Sequence, residues 1–213
     1  MVQIIINRHQ GANEVMSSKS RAKLAVFTYG LWRLRDELSH LGGRKTVYYP
    51  GFMPAIGGAD LAIGGWGHKP TARRARAIAA RKGLDYIAFE DGFLRSVEPG
   101  AEHPPLSMVM DKSGIYYDAR QPSDLETMLA GMAQLDDDEA GKARAAIDVL
   151  RRRRLSKYND AAPRARVPGL KEDSVLVIDQ TYGDASVAGG LSGPDDFAAM
   201  LDAALAENPG RDV

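Results

Sequence analysis

With 213 residues, 44% of them apolar, the chain is long enough to bury the core of one domain and part of another. Its 28 lysines and arginines balance 28 aspartates and glutamates, so no net field draws it to nucleic acid or to an anionic surface. The lack of cysteine excludes disulfides, thiolate metal sites and cysteine nucleophiles. No apolar run approaches the roughly 18 residues of a membrane span.

The opening MVQIII predicts a short strand. Its apolar stretch is too short for a signal peptide, so a cytoplasmic protein is expected. LAVFTYG (24–30) reads as a strand running into a glycine, and Leu31, Leu34, Leu38 and Leu41 then recur at helical spacing until Gly42 and Gly43. KTVYY is a second strand, closed by Pro50 and Gly51, and ADLAIGGWG is a third. In KPTARRARAIAARKG, Thr71 is expected to cap a helix and Gly83 to end it, with Ala72, Ala75, Ile78 and Ala79 on the inner face. LDYIAFE is the next strand, with Asp91 just past its end. This alternation of strands and helices predicts a parallel sheet covered by helices, in which ligands gather at the carboxyl ends of the strands.

MVMDKSGIYYD then reads as a hairpin turning at 111–114. PSDLETMLAGMAQL is a helix opened by the capping box Ser123-x-x-Glu126, and DDDEAGKARAAIDVLRRRR is a second. The proline- and charge-rich 161–173 reads as a linker. SVLVIDQ follows as a buried strand, then a polar loop, then a helix with Pro194 in its first turn and Ser192 and Asp195 as capping candidates. The chain stops at PGRDV, where a further strand is expected, so the second α/β unit reads as cut short.

Several clusters carry chemistry, each beside a plainer structural reading. Glu90 and Asp91 end a strand: they are either a catalytic carboxylate pair or a turn. Gly64-Gly65-Trp66-Gly67-His68-Lys69 precedes a helix and is either an anion cradle or a tight turn around a packed tryptophan. Arg73, Arg74, Arg76 and Arg81 read as the solvated side of their helix. Arg151 to Arg154 end a helix that begins with Asp136, Asp137, Asp138 and Glu139, which complements the helix dipole without invoking nucleic acid. Lys157, Tyr158 and Asn159 are donors suited to a sugar or phosphate, or simply a polar loop. Gln180, Asp184 and Ser186 can converge on a polyhydroxylated or nucleotide ligand, or belong to a passive loop. His9, His40, His68 and His103 show no metal-ligand spacing, and no G-x-S-x-G element is present.

Taken together, GGWGHKPTARRARAIAARKGLDYIAFEDGFLRSV, PPLSMVMDKSGIYYDARQPSDLE, LSKYN and VLVIDQTYGDASV resemble the capsule polysaccharide β-Kdo transferases of Gram-negative bacteria. Kdo is the acidic eight-carbon sugar keto-deoxy-octulosonate. The resemblance runs from about Gly30 to the end. It implies a GT-B-like α/β protein: a Rossmann-like acceptor-side lobe at 1–160 with a helical segment, the linker 161–173, and the start of a nucleotide-binding lobe at 174–213. It implies CMP-Kdo as donor, a glycerophospholipid-linked Kdo acceptor, retention of configuration, and neither metal nor cofactor. An active-site carboxylate nucleophile maps to Asp91, with Glu90 supporting. Arg95, Ser96, Tyr116 and Tyr117 would line the cleft, with Lys157, Tyr158 and Asn159 holding substrate and Gln180, Asp184 and Ser186 on the nucleotide side. The family continues past AENP into a strand and a His-Pro motif, whereas this sequence stops at Val213, so a truncated chain is expected. The alternative expectation is a non-catalytic module that binds the lipid linker or partners of capsule assembly and export, and a peripheral contact with the inner membrane fits either.

Overall fold

The structure, a computed structural model, describes residues 22–50, 58, 60–100, 102–131, 135–160 and 169–213, together with the backbone of 4–5. It contains strands β1 (Ile4–Ile5), β2 (Lys23–Val26), β3 (Lys45–Tyr48), β4 (Leu61–Trp66), β5 (Tyr86–Asp91) and β6 (Ser107–Asp111). Its helices are α1 (Tyr29–Arg33), α2 (Arg35–Gly42), α3 (Arg73–Lys82), α4 (Asp124–Gly131), α5 (Asp137–Arg153), α6 (Ala185–Gly189) and α7 (Pro194–Glu207). Two compact units result, one from Met1–Tyr116 with Pro122–Ala161 and one from Tyr117–Gln121 with Ala162–Val213.

The first unit is built on a six-stranded sheet in the order β1-β6-β5-β4-β2-β3. β3, β2, β4 and β5 run parallel, whereas β6 is antiparallel to β5 and β1 to β6. The sheet is therefore mixed, not parallel throughout as the alternation predicted. The expected hairpin at 108–118 does not form: β6 spends its ladder on β5. The buried Asp111 side chain then turns the chain away by accepting from the amides of Ser113 (2.9 Å) and Gly114 (2.7 Å).

Strand alternation sends side chains to two cores. Leu24, Val26, Ala62, Ile87, Phe89 and Met108 face Leu31, Leu38 and Leu41 of α1 and α2. Ala25, Leu61 and Ile63 face Ala75, Ile78 and Ala79 of α3. Each fully buried large aliphatic or aromatic side chain contributes about 1.5–3 kcal/mol. The inner face read from the α3 sequence is the buried one, and Gly83 ends that helix at φ 61° as expected. Thr71 does not cap it. A short 3₁₀ turn, Pro70–Ala72, comes first, and Ala72 occupies the N-cap without a side-chain bond.

The box at Ser123 is present: the Glu126 amide donates to Ser123 Oγ (3.1 Å) and the Ser123 amide to Glu126 Oε2 (2.7 Å). The same reciprocal pair joins Asp136 and Glu139 at the start of α5. Neither α4 nor α5 has a fully buried residue.

In the second unit, residues 174–180 carry no strand, although SVLVIDQ read as one. Leu176 is 75% and Ile178 69% exposed. An apolar run makes a strand only beside another that accepts its ladder, and no described strand lies against this one. Its Val175 amide bonds Asp212 O instead (2.8 Å). α7 has Pro194 in its first turn, but Asp196 and not Asp195 closes its start, accepting from the Gly193 amide (2.7 Å) and Ser192 Oγ (3.1 Å).

Candidate functional site

β4 and β5 are parallel neighbours, so their carboxyl ends lie side by side. The glycines of GGWG serve close packing there. A Cβ on Gly64 would sit 3.2 Å from both Leu24 and Val26, and one on Gly65 would fall 2.0 Å from the Tyr86 hydroxyl. That hydroxyl donates to Gly67 O at 2.7 Å. Lys69, just beyond, stands over the Trp66 ring (5.5 Å to its centre) and pairs with Glu90 Oε1 at 3.0 Å. A parallel sheet brings a residue after one strand beside the end of the next. The Lys69–Glu90 pair was therefore legible in principle, and sequence reasoning missed it.

Asp91 is the last residue of β5, not the first after it. Successive strand residues point to opposite faces, so Glu90, opposite Val109, and Asp91, opposite Met108, face away from each other. Each has its own cation. Asp91 Oδ2 pairs with Arg95 Nε at 3.0 Å, and both side chains are largely buried. Glu90 Oε2 and Asp91 Oδ1 are buried and accept no hydrogen bond from the protein. A buried carboxylate oxygen without a donor is costly, so each marks a place where a ligand group or chemistry could repay that cost. The adjacent carboxylates thus serve two separate micro-environments.

Gly92 follows because β6 comes too close for a side chain: its amide bonds Ser107 O (2.9 Å), and a Cβ would lie 2.0 Å from Ser107 Oγ. Phe93 packs at 5.6 Å on Tyr116. Arg95 is 8% exposed and reaches Ser96 Oγ at 2.8 Å. Lys157 O accepts from the amides of Arg95 (3.0 Å) and Ser96 (3.3 Å), and the Asn159 amide bonds Val97 O (2.6 Å). Tyr158 then lies within 5.9 Å of the Arg95 guanidinium, measured to the ring centre. Five of the candidate residues, Arg95, Ser96, Lys157, Tyr158 and Asn159, are therefore brought together beside Asp91. Tyr116 joins them through Phe93, whereas Tyr117 belongs to the second unit, where its carbonyl lies 2.5 Å from where a Gly189 Cβ would be.

Gln180, Asp184 and Ser186 do meet one another in the second unit. Ser186 Oγ bonds Gln180 Oε1 at 3.1 Å, and Asp184 Oδ1 caps α6 by accepting from the Ser186 amide (2.8 Å). Among the described residues no cluster of three His, Asp or Glu could hold a metal, and no helix is long and apolar enough to cross a membrane.

Residues 61–168 match the family described as capsule polysaccharide biosynthesis proteins. Over 210 residues the chain is 42% identical to the capsule polysaccharide modification protein LipA of Neisseria meningitidis serogroup B, covering 95% of this chain and 29% of that protein. It is 34% identical over 145 residues to the lipopolysaccharide-processing protein LpsZ of Rhizobium meliloti, covering 66% of this chain and 33% of LpsZ. Among solved structures, the Thermosulfurimonas dismutans KpsC beta Kdo 2,4 transferase matches with a TM-score of 0.78 at 40% identity, over 89% of this chain and 58% of that one. The beta Kdo 2,7 transferase of the same KpsC, at a TM-score of 0.50 and 24% identity, is alike in fold. The chain thus spans about a third or less of the length of these curated relatives.

Proposed function

The chain belongs to the capsule polysaccharide biosynthesis protein family, and from that premise we propose that it forms part of a retaining β-Kdo glycosyltransferase of GT-B-like build. The observation that carries this reading is the 40% identity and TM-score of 0.78 with a beta Kdo 2,4 transferase. The donor is CMP-Kdo and the acceptor a Kdo-bearing glycolipid of the capsule linker. Neither metal nor cofactor takes part.

Asp91 is the nucleophile. Arg95 grips Oδ2, while Oδ1 takes no hydrogen bond from the protein and is the oxygen that substrate binding must uncover. In the first displacement Oδ1 attacks the anomeric carbon, the bond to the phosphate oxygen breaks, and CMP leaves with the electron pair. In the second, an acceptor hydroxyl attacks the same carbon from the other side, the ester to Asp91 breaks, and the hydroxyl proton passes to water. Two inversions give net retention. Arg95 both orients Asp91 and supplies positive charge for an acidic sugar. Lys157 and Tyr158 add donors around it, with Tyr116 on the rim, while the Ser96 hydroxyl donates to Glu98 O and the Asn159 side-chain amide to Ser156 O, which shapes the loop. Glu90, on the opposite face, steadies Lys69 at the strand ends. Gln180, Asp184 and Ser186 serve the nucleotide side.

The test is transfer from CMP-Kdo to a Kdo glycoside by the full-length gene product, with the anomeric configuration of the product read by NMR. Asp91→Asn should abolish transfer with unchanged circular dichroism, and Glu90→Gln should retain part of it. An inverted product, or robust transfer by Asp91→Asn, would refute the assignment. Acceptor binding without turnover would support the non-catalytic module instead.

A further inference from the structure

α5 is a 17-residue helix with no buried residue, yet one of its faces is apolar. Ala140, Ala143, Ile147 and Leu150 recur at steps of 3, 4 and 3 residues, so they share one side of the helix. Ile147, near the middle of that side, is 51% exposed, and Ala143 is exposed beside it. The same face ends in opposite charges. Asp136, the N-cap, precedes Ala140 by one turn, with Glu139 on its flank. At the other end Arg151 follows Ile147 by one turn, whereas Arg152 and Arg153 point away from this face. The ion pairs within the helix, Lys142 with Asp138 (2.5 Å) and Arg152 with Asp148 (3.7 Å), also sit a quarter turn or more from Ile147. The apolar stripe and the charges at its two ends thus form one continuous surface.

We propose that this surface is a self-association site, on which two copies of the chain pack their α5 helices antiparallel. A two-fold axis near Ala145 sets position 139 opposite 151, 140 opposite 150 and 143 opposite 147, with Asp136 facing the C-cap Arg154. The acidic end of each helix then meets the basic end of the other. In between, Ala143 of one helix leaves room for Ile147 of the other, and Ala140 for Leu150, so the axes can approach to about 8–10 Å. The opposed helix dipoles add to the attraction. A parallel pair would set acid on acid and base on base, so the charge pattern itself selects the antiparallel one. The chain as a whole is neutral, and no net repulsion opposes the pairing. The inference goes beyond the transferase reading and does not rest on it.

The experiment is sedimentation velocity on the 213-residue chain over a range of concentrations. A single helix pair is a small interface, so a dimer of twice 23.1 kDa should build up at micromolar concentrations and above, and weaken as salt screens its ends. Ile147→Asp should raise the dissociation constant about a hundredfold, because one apolar side chain is lost from each copy. Arg151→Glu should raise it severalfold and reduce its salt dependence. The emission of Trp32 and Trp66, both in the first unit, checks that these variants fold. The lack of cysteine allows a test of direction. Ala143→Cys mixed with Ile147→Cys should give mainly the mixed disulfide on oxidation, as antiparallel pairing sets these positions opposite each other. A monomer at every concentration, a dimer indifferent to Ile147→Asp, or Ala143→Cys linking to itself in preference to Ile147→Cys would overturn the proposal.

Discussion

A single methyl group added at Gly92 should loosen the edge of the sheet that presents Asp91. An ideal Cβ there falls 2.0 Å from Ser107 Oγ and 2.8 Å from both Ser107 Cβ and its carbonyl carbon. Ser107 is 1% exposed, and its hydroxyl is committed to Leu94 O at 2.5 Å, so it cannot swing aside without losing that bond. Overpacking a filled site costs about 1–3 kcal/mol, and the lost hydrogen bond about 1 more. Because the clash includes backbone, Gly92→Ala should cost about 3–4 kcal/mol, a Tm drop on the order of 10 °C for a chain of this size. Both tryptophans lie in this unit, so their fluorescence reports its melting. Adding Ser107→Gly removes the Oγ and Cβ contacts but not the carbonyl carbon, so it should restore only part of the loss. A drop of less than about 2 °C for Gly92→Ala, or full recovery in the double variant, would refute the reasoning.

Three further outcomes follow from the same geometry. Asp111→Ala leaves the amides of Ser113, Gly114 and Asp124 without their acceptor, and urea denaturation should show a loss of about 3 kcal/mol, with Asp111→Asn milder. Lys69→Met leaves Glu90 charged and buried; because Lys69 is itself 38% exposed, the loss should be about 2 kcal/mol by the same assay, and adding Glu90→Gln should recover most of it. At the start of α4, bonds from the Ser123 amide and hydroxyl hold Glu126 below its ordinary value of 4.5. A lowered folded-state value gives stability that is full above 4.5 and lost as pH falls through the lowered value. Ser123→Ala keeps the backbone amide, the larger cause, and removes only the hydroxyl bond, so it should flatten the acid side of the stability–pH curve in part, which thermal melts from neutral to strongly acid pH would show.

The candidate site was half legible in the sequence. The composition of EDGFLRS at a strand end marked the place, because α/β sheets gather ligands there. The pairing of Asp91 with Arg95 spans four residues and is local, yet its partners LSKYN come from more than sixty positions downstream by backbone bonds that carry no side-chain signature. One residue of strand length changed the chemistry. With Asp91 inside β5, alternation parts it from Glu90, and a presumed pair becomes two separate ion pairs.

What the sequence determined by itself is whatever closes within a few residues. That covers the capping boxes at Ser123 and Asp136, the glycine end of α3 and its buried face, and the strands β2 to β5. Tertiary structure alone decided the direction of β6, the absence of a strand at 174–180, and the need for glycine at position 92. The physical reason is the same in each case: a helix satisfies its own backbone, whereas a strand takes its hydrogen bonds, and the space for its side chains, from whichever segment the rest of the fold sets beside it.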